Sequence, residues 1–252
     1  MSQHTFAPIQ WVKREAKLFS TLVRSVPILV IVLFSLSVIS MNFLASYTIV
    51  NTPYIALNAG IFVSWVTFLL LDIITKRFGP KAANRISWIG LGANLVAVGI
   101  FFLISQIGTI PDLDMVLHGQ WSILLASTIA FIVSTLVNNS LNSLIGRAFA
   151  KNPNGKAAFF CRSYVSTLVG QVVDNFLFAM LAFIIFPMIP GALPVTWTWT
   201  QVAVCSATFA LAELGMEILF SPIGYRVSLR WRRNGVGQEY IDAYYPQPSE
   251  GQ

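Results

Sequence analysis

The chain has 252 residues, of which 56% are hydrophobic and only 10% charged, and its formal net charge is +6. Soluble domains carry about 25% charged residues, so this composition excludes an ordinary soluble fold. The basic excess is no sign of a nucleic-acid partner: all sixteen Lys and Arg fall into four clusters separated by long apolar stretches, a pattern explained by membrane topology and attraction to anionic lipid.

Residues 1 to 25 form a charged segment with Ile9, Val12, Phe19, Leu22 and Val23 roughly on one face and Lys13, Arg14 and Lys17 elsewhere. This suits either a helix lying at the membrane interface or a simple positively charged flank. It is no secretory signal, because the charged stretch precedes the first apolar run and no small-residue cleavage site follows.

A hydrocarbon core about 30 Å thick takes about 20 apolar helical residues. Six segments qualify, near Val26 to Tyr47, Tyr54 to Thr75, Ser87 to Ile107, Trp121 to Arg147, Ser163 to Phe186 and Trp199 to Phe220. Continuous apolar runs of this length favour helices over the short alternating strands of a membrane barrel. The expected fold is therefore all-α, a polytopic membrane protein with six transmembrane helices over residues 26–222.

The connections at 48–53, 108–120 and 187–198 contain no Lys or Arg. By the positive-inside rule they lie outside and both termini are cytoplasmic. Gly108, Pro111 and Gly119 divide the spans into two groups of three, and an odd number makes any repeat inverted. Asn139 and Asn142 in span four echo Gln171 and Asp174 in span five. Residues 223–252 form a basic C-terminal tail, and beyond Arg233 the absence of apolar periodicity predicts poor order.

Polar residues inside the spans carry the functional reading. Asp174 is eleven residues past Ser163, roughly 17 Å into the core and so near the midplane, where charge costs at least about 3 kcal/mol. Ser163, Thr167, Gly170, Gln171 and Asp174 share one face. They would contact substrate, carry a proton, or form interhelical hydrogen bonds. Thr135, Asn138, Asn139 and Asn142 make a polar face in span four, next to Ser134 and Ser140.

Glu213 and Glu217 lie one turn apart, so one of them holds a proton or meets a cation; Glu217 could instead reach Arg226 or Arg230. Asn58, Trp65 and Asp72 are spaced by seven, which would align them along span two. Trp65 could stack on a planar ligand or simply pack, and Asp72 could bind ligand or pair with Lys76. Together these residues predict a central pocket for a neutral, flat, hydrogen-bonding solute, with proton coupling through Glu213, Glu217 or Asp174.

Nothing resembles an enzyme, a metal centre or a cofactor site. His4 and His118 both lie outside the spans, and HExxH, GxSxG and Walker-type motifs are absent. Cys161 and Cys205 fall at opposite ends of neighbouring spans and read as small apolar residues. Trp121, Trp197 and Trp199 mark the outer interface, and Trp11, Trp88 and Trp231 the inner one.

Two stretches, NAGIFVSWVTFLLLDIITKRFGPKAANRISW at 58–88 and RSYVSTLVGQVVDNFLFAMLAFI at 162–184, resemble the vitamin-uptake-like family of bacterial queuosine precursor transporters. The matching features are Asp72, Phe78-Gly79, Ala82, Ala83 and Arg85 in the first, and Arg162, Ser166-Thr167, Gly170, Asp174 and Phe178 in the second. The resemblance implies import of 7-cyano- or 7-aminomethyl-7-deazaguanine across the bacterial inner membrane. The pocket chemistry is compatible: Asp174 could accept two N–H groups of a guanine-like edge, with Gln171 and Asn139 as amide partners. The chain departs from the family pattern at Asn142, where many relatives carry an acid, and at Glu213, near which relatives more often carry Lys.

Two other functions stay open on sequence grounds. A substrate-binding subunit of an energy-coupling-factor importer would need ATPase partners, although span one lacks a clear AxxxA docking motif. A scaffold would not need Asp174, Glu213 and the Asn cluster directed inward, and a channel would show rings of filter residues. Oligomeric state is not encoded in any recognisable motif.

Overall fold

The computed structural model describes residues 7–107, 119–148 and 165–245. Helices dominate: α1 (Ala7–Ser25), α2 (Ile28–Leu44), α3 (Ile61–Phe78), α4 (Pro80–Ile107), α5 (Gln120–Ala148), α6 (Ser166–Met180), α7 (Trp199–Arg233) and α8 (Gln238–Tyr244). A π-helical turn at Leu181–Ile185 and a 3-10 turn at Phe186–Met188, which contains Pro187, extend α6 until the backbone turns extended at Ile189.

Among the described residues, four stretches are long and apolar enough to cross a membrane: Pro80–Ile104, Gln120–Val137, Leu168–Met188 and Trp199–Phe220. Counting the bent α1–α2 pair as one span brings the total to five. This is fewer than the six expected, for physical reasons. Helix α2 has 17 residues, and α3 carries Asp72, Lys76 and Arg77 in its last two turns.

The chain turns by 99° between α1 and α2. Pro27 has no N–H to continue α1 and disfavours helical backbone at Val26, but its fixed φ of −53° suits the start of α2. Leu18 and Leu22 of α1 are buried, whereas Trp11, Val12 and Phe19 are exposed.

Residues 48–58 correct the expected loop and early start of the second span. Thr48–Asn51 (β1) and Ala56–Asn58 (β2) form an antiparallel ribbon, an exception to the all-α expectation. The β-branched Thr48, Ile49 and Val50 suit extended backbone, and Thr52 closes the turn by hydrogen bonds with Ile55. Gln201 at the start of α7 ties the ribbon down, its Nε2 donating to Asn51 Oδ1 and to the Thr52 carbonyl. Asn58 therefore precedes α3 and does not continue the Trp65–Asp72 face; its Oδ1 accepts from the Gly60 N–H at 3.0 Å.

Helix α7 opens with a reciprocal Thr198/Gln201 capping box and runs 35 residues through Pro222 to Arg233. At 1.5 Å per residue this is roughly 50 Å, well beyond one bilayer core. The expected disorder after Arg233 is overturned as far as Tyr245, because α8 folds back and buries Tyr240 completely. Residues 246–252 lie outside the described residues.

Two apolar clusters hold the bundle. One joins Ile123, Phe183, Trp197, Val202 and Phe209 at the ribbon end; the other joins Leu22, Ile74, Phe78, Ile86 and Tyr240 at the basic end. Polar side chains lie between them.

Candidate functional site

A cavity of about 210 Å³ opens between α2, α3, α4, α5 and α6. Its polar wall includes Thr67, Ser87, Asn94, Ser134, Gln171 and Asp174, and Phe34, Val38 and Leu71 supply apolar surface. A second cavity of about 70 Å³ lies beside it, lined by Asn58, Asn175, Trp197, Ser206 and Glu213 among others. Met41, Ser127 and Asp174 belong to both walls.

Asp174 projects from α6 and accepts a hydrogen bond from Ser134 Oγ of α5 at 2.8 Å. One turn earlier, Gln171 is buried, and neither its Nε2 nor its Oε1 is hydrogen-bonded among the described residues. A buried unpaired polar group costs about 1–3 kcal/mol, a cost that a ligand with an adjacent donor and acceptor would remove. Asn175 turns to α7, its Nδ2 donating to Glu213 Oε2 at 3.0 Å and to the Gln171 carbonyl at 2.9 Å. The two carboxylates thus flank the same cavity pair, each held by a neutral donor.

The opposite wall is fixed by Asn94. Its Oδ1 accepts from Asn42 of α2 at 3.0 Å, and its Nδ2 donates to the Leu124 carbonyl and to Thr128 Oγ1, both at 3.1 Å, on α5. Interhelical hydrogen bonds in membranes are worth about 0.6 kcal/mol each. Asn94→Leu, which removes three, should destabilise the protein by about 2 kcal/mol, read by thermal unfolding in detergent.

With this geometry in place, comparison with known families gives a match to the family described as "Putative vitamin uptake transporter" over residues 58–227, more than half of the chain. The chain belongs to the vitamin uptake transporter family. It is a multi-pass membrane protein of a transporter family, and the matched region contains α3 to α6, most of α7, Asp174, Gln171 and Glu213. No curated protein and no solved structure matches the chain.

Within this member of the vitamin uptake transporter family, the residues singled out from sequence divide by place. Asp174 and Gln171 line the larger cavity, while Asp174, Glu213 and Asn58 line the smaller one. Trp65, considered for stacking on a ligand, instead stacks on Phe220 of α7 with ring centroids 4.3 Å apart, and its Nε1 donates to the Phe62 carbonyl. Asp72 pairs with Lys76 at 2.6 Å. The side chains of Asn138, Asn139, Asn142, Thr167 and Glu217 lie outside the described ones.

Asn42, Asn94, Asn175 and Trp197 were not singled out as site residues. Trp197 is buried within the protein, and its ring stacks on Phe183 at 3.9 Å.

Proposed function

We propose that the protein is a secondary transporter importing a 7-deazaguanine base, a queuosine precursor, across a bacterial inner membrane. The observation that carries this reading is the pairing, on one helical face, of the Asp174 carboxylate with the unpaired Gln171 amide in a cavity enclosed by five helices. Asp174 would accept the base's N–H groups, and Gln171 would meet its carbonyl and a further N–H. A carboxylate in lipid is expensive and therefore points to function.

Alternating access would exchange the cavity between the two membrane faces, with both termini cytoplasmic and the six apolar segments crossing as two inverted halves. Glu213 or Asp174 would carry the coupling proton; Glu217 is a further candidate.

The test is uptake of 7-cyano- and 7-aminomethyl-7-deazaguanine by cells unable to synthesise queuosine, with queuosine in tRNA as readout. Expression of this chain should restore queuosine; failure of both bases despite expression would refute the substrate assignment. Gln171→Leu should raise the half-saturating concentration about 10-fold, the effect of losing one or two hydrogen bonds.

A further inference from the structure

The smaller cavity has its own chemistry. Its volume of about 70 Å³ admits only a slim group, and Met41, Ser127 and Asp174 line it together with the larger cavity. A base held at Asp174 therefore has it within reach. Several of its donors are already committed: Ser64 and Ser206 hydroxyls donate to the Ile61 and Val202 carbonyls, and the Asn175 amide serves Glu213 and Gln171.

Trp197 differs. It is 6% exposed, and its Nε1 has no hydrogen-bond partner among the described residues. Stacking on Phe183 and a backbone hydrogen bond from Trp197 N to the Phe183 carbonyl at 3.0 Å fix the indole in place. A buried indole normally finds an acceptor. Glu213 and Asp174 on the same wall disfavour an anionic group, and only a hydrogen-bond acceptor can pair with the indole N–H.

From this arrangement we propose that the smaller cavity is a specificity subsite for a slim, neutral hydrogen-bond acceptor carried by the substrate, read by Trp197 Nε1. This rests on the transport reading above, in which the substituent at the 7-position of the base enters the subsite.

The test compares 7-cyano-7-deazaguanine with 7-ethynyl-7-deazaguanine, a linear isostere whose terminal C–H replaces the nitrile acceptor. Entry of each base into cells expressing the protein is measured by mass spectrometry. The wild-type protein should favour the nitrile about 10-fold, the value of one satisfied buried donor, and Trp197→Phe, which keeps an aromatic ring on Phe183, should bring the ratio near one.

Equal entry of both bases into wild-type cells would overturn the subsite while leaving the transport reading intact, and so would a ratio retained in Trp197→Phe. Entry of neither base would refute the transport reading and the subsite with it. Should the variant fail to reach the membrane, the wild-type ratio alone decides.

Discussion

Asp174→Asn should reduce uptake of 7-deazaguanine bases by about 10- to 100-fold, the equivalent of roughly 1.5–3 kcal/mol for hydrogen bonds to a charged group. Asn has the shape of Asp, so the cavity and its apolar wall are preserved, and Ser134 can still donate to the side-chain oxygen that it now meets at 2.8 Å. What is lost is the second acceptor and the charge, replaced by an amide N–H that would face the donors of the base. Ser134→Ala should have a smaller effect, since it removes a neighbour of Asp174 and not the acceptor. Queuosine in tRNA of cells unable to make its precursors reads both variants. Undiminished uptake by Asp174→Asn would remove Asp174 from the recognition site.

Asp174 and Gln171 were legible in the sequence because polar groups within an apolar run have few inexpensive explanations. Ser134 and Thr135 were legible for the same reason, as part of a polar third of one helix, and both line the larger cavity. Asn175 escaped because it sits one residue from Asp174, about 100° around the helix, and faces α7 instead of the stripe. Trp197 read as an interfacial tryptophan because composition cannot distinguish an indole in the headgroup layer from one packed on Phe183.

The Asn58–Trp65–Asp72 face failed at its first member because helical spacing was extended through a β-ribbon. Helix α8 was invisible for another reason. Seven residues between Gly237 and Tyr245 are too few to hold a helix on propensity, so its order comes from tertiary contacts that local sequence does not announce.

Those contacts give Gly237→Ala a large expected effect on stability. Gly237 has φ of +69°, and a Cβ there would lie 2.1 Å from Phe78 Cε1. Left-handed backbone costs a residue with a Cβ about 1–2 kcal/mol, and overpacking adds about 1–3 kcal/mol. Phe78 cannot easily yield, being 1% exposed in the cluster at the basic end and packed near Trp231 and Tyr240. Gly237→Ala should therefore destabilise the protein by about 2–5 kcal/mol, or free α8 from the bundle.

The freed segment would surrender the Arg77 Nε bond to the Val236 carbonyl at 2.8 Å and the Arg85 bond to the Tyr240 hydroxyl at 2.7 Å. Gly235→Ala separates the two costs: its φ is +65°, but nothing lies within 4 Å of the added Cβ, so only the backbone cost applies. Thermal unfolding in detergent should rank wild type above Gly235→Ala and Gly235→Ala above Gly237→Ala, and limited proteolysis should cut near α8 first in the last. Equal losses from the two variants would mean that α8 does not press on Phe78.

The contribution of Tyr240 to the docking of α8 should also be insensitive to pH through the neutral range. Burial pushes the Tyr240 phenol above its usual value, outweighing the opposing pull of Arg85. A raised folded value means that its contribution is complete below the unfolded tyrosine value of about 10 and is lost only as pH rises through the folded one. Release of α8 between pH 6 and 9, followed by proteolysis, would therefore point to a group other than Tyr240.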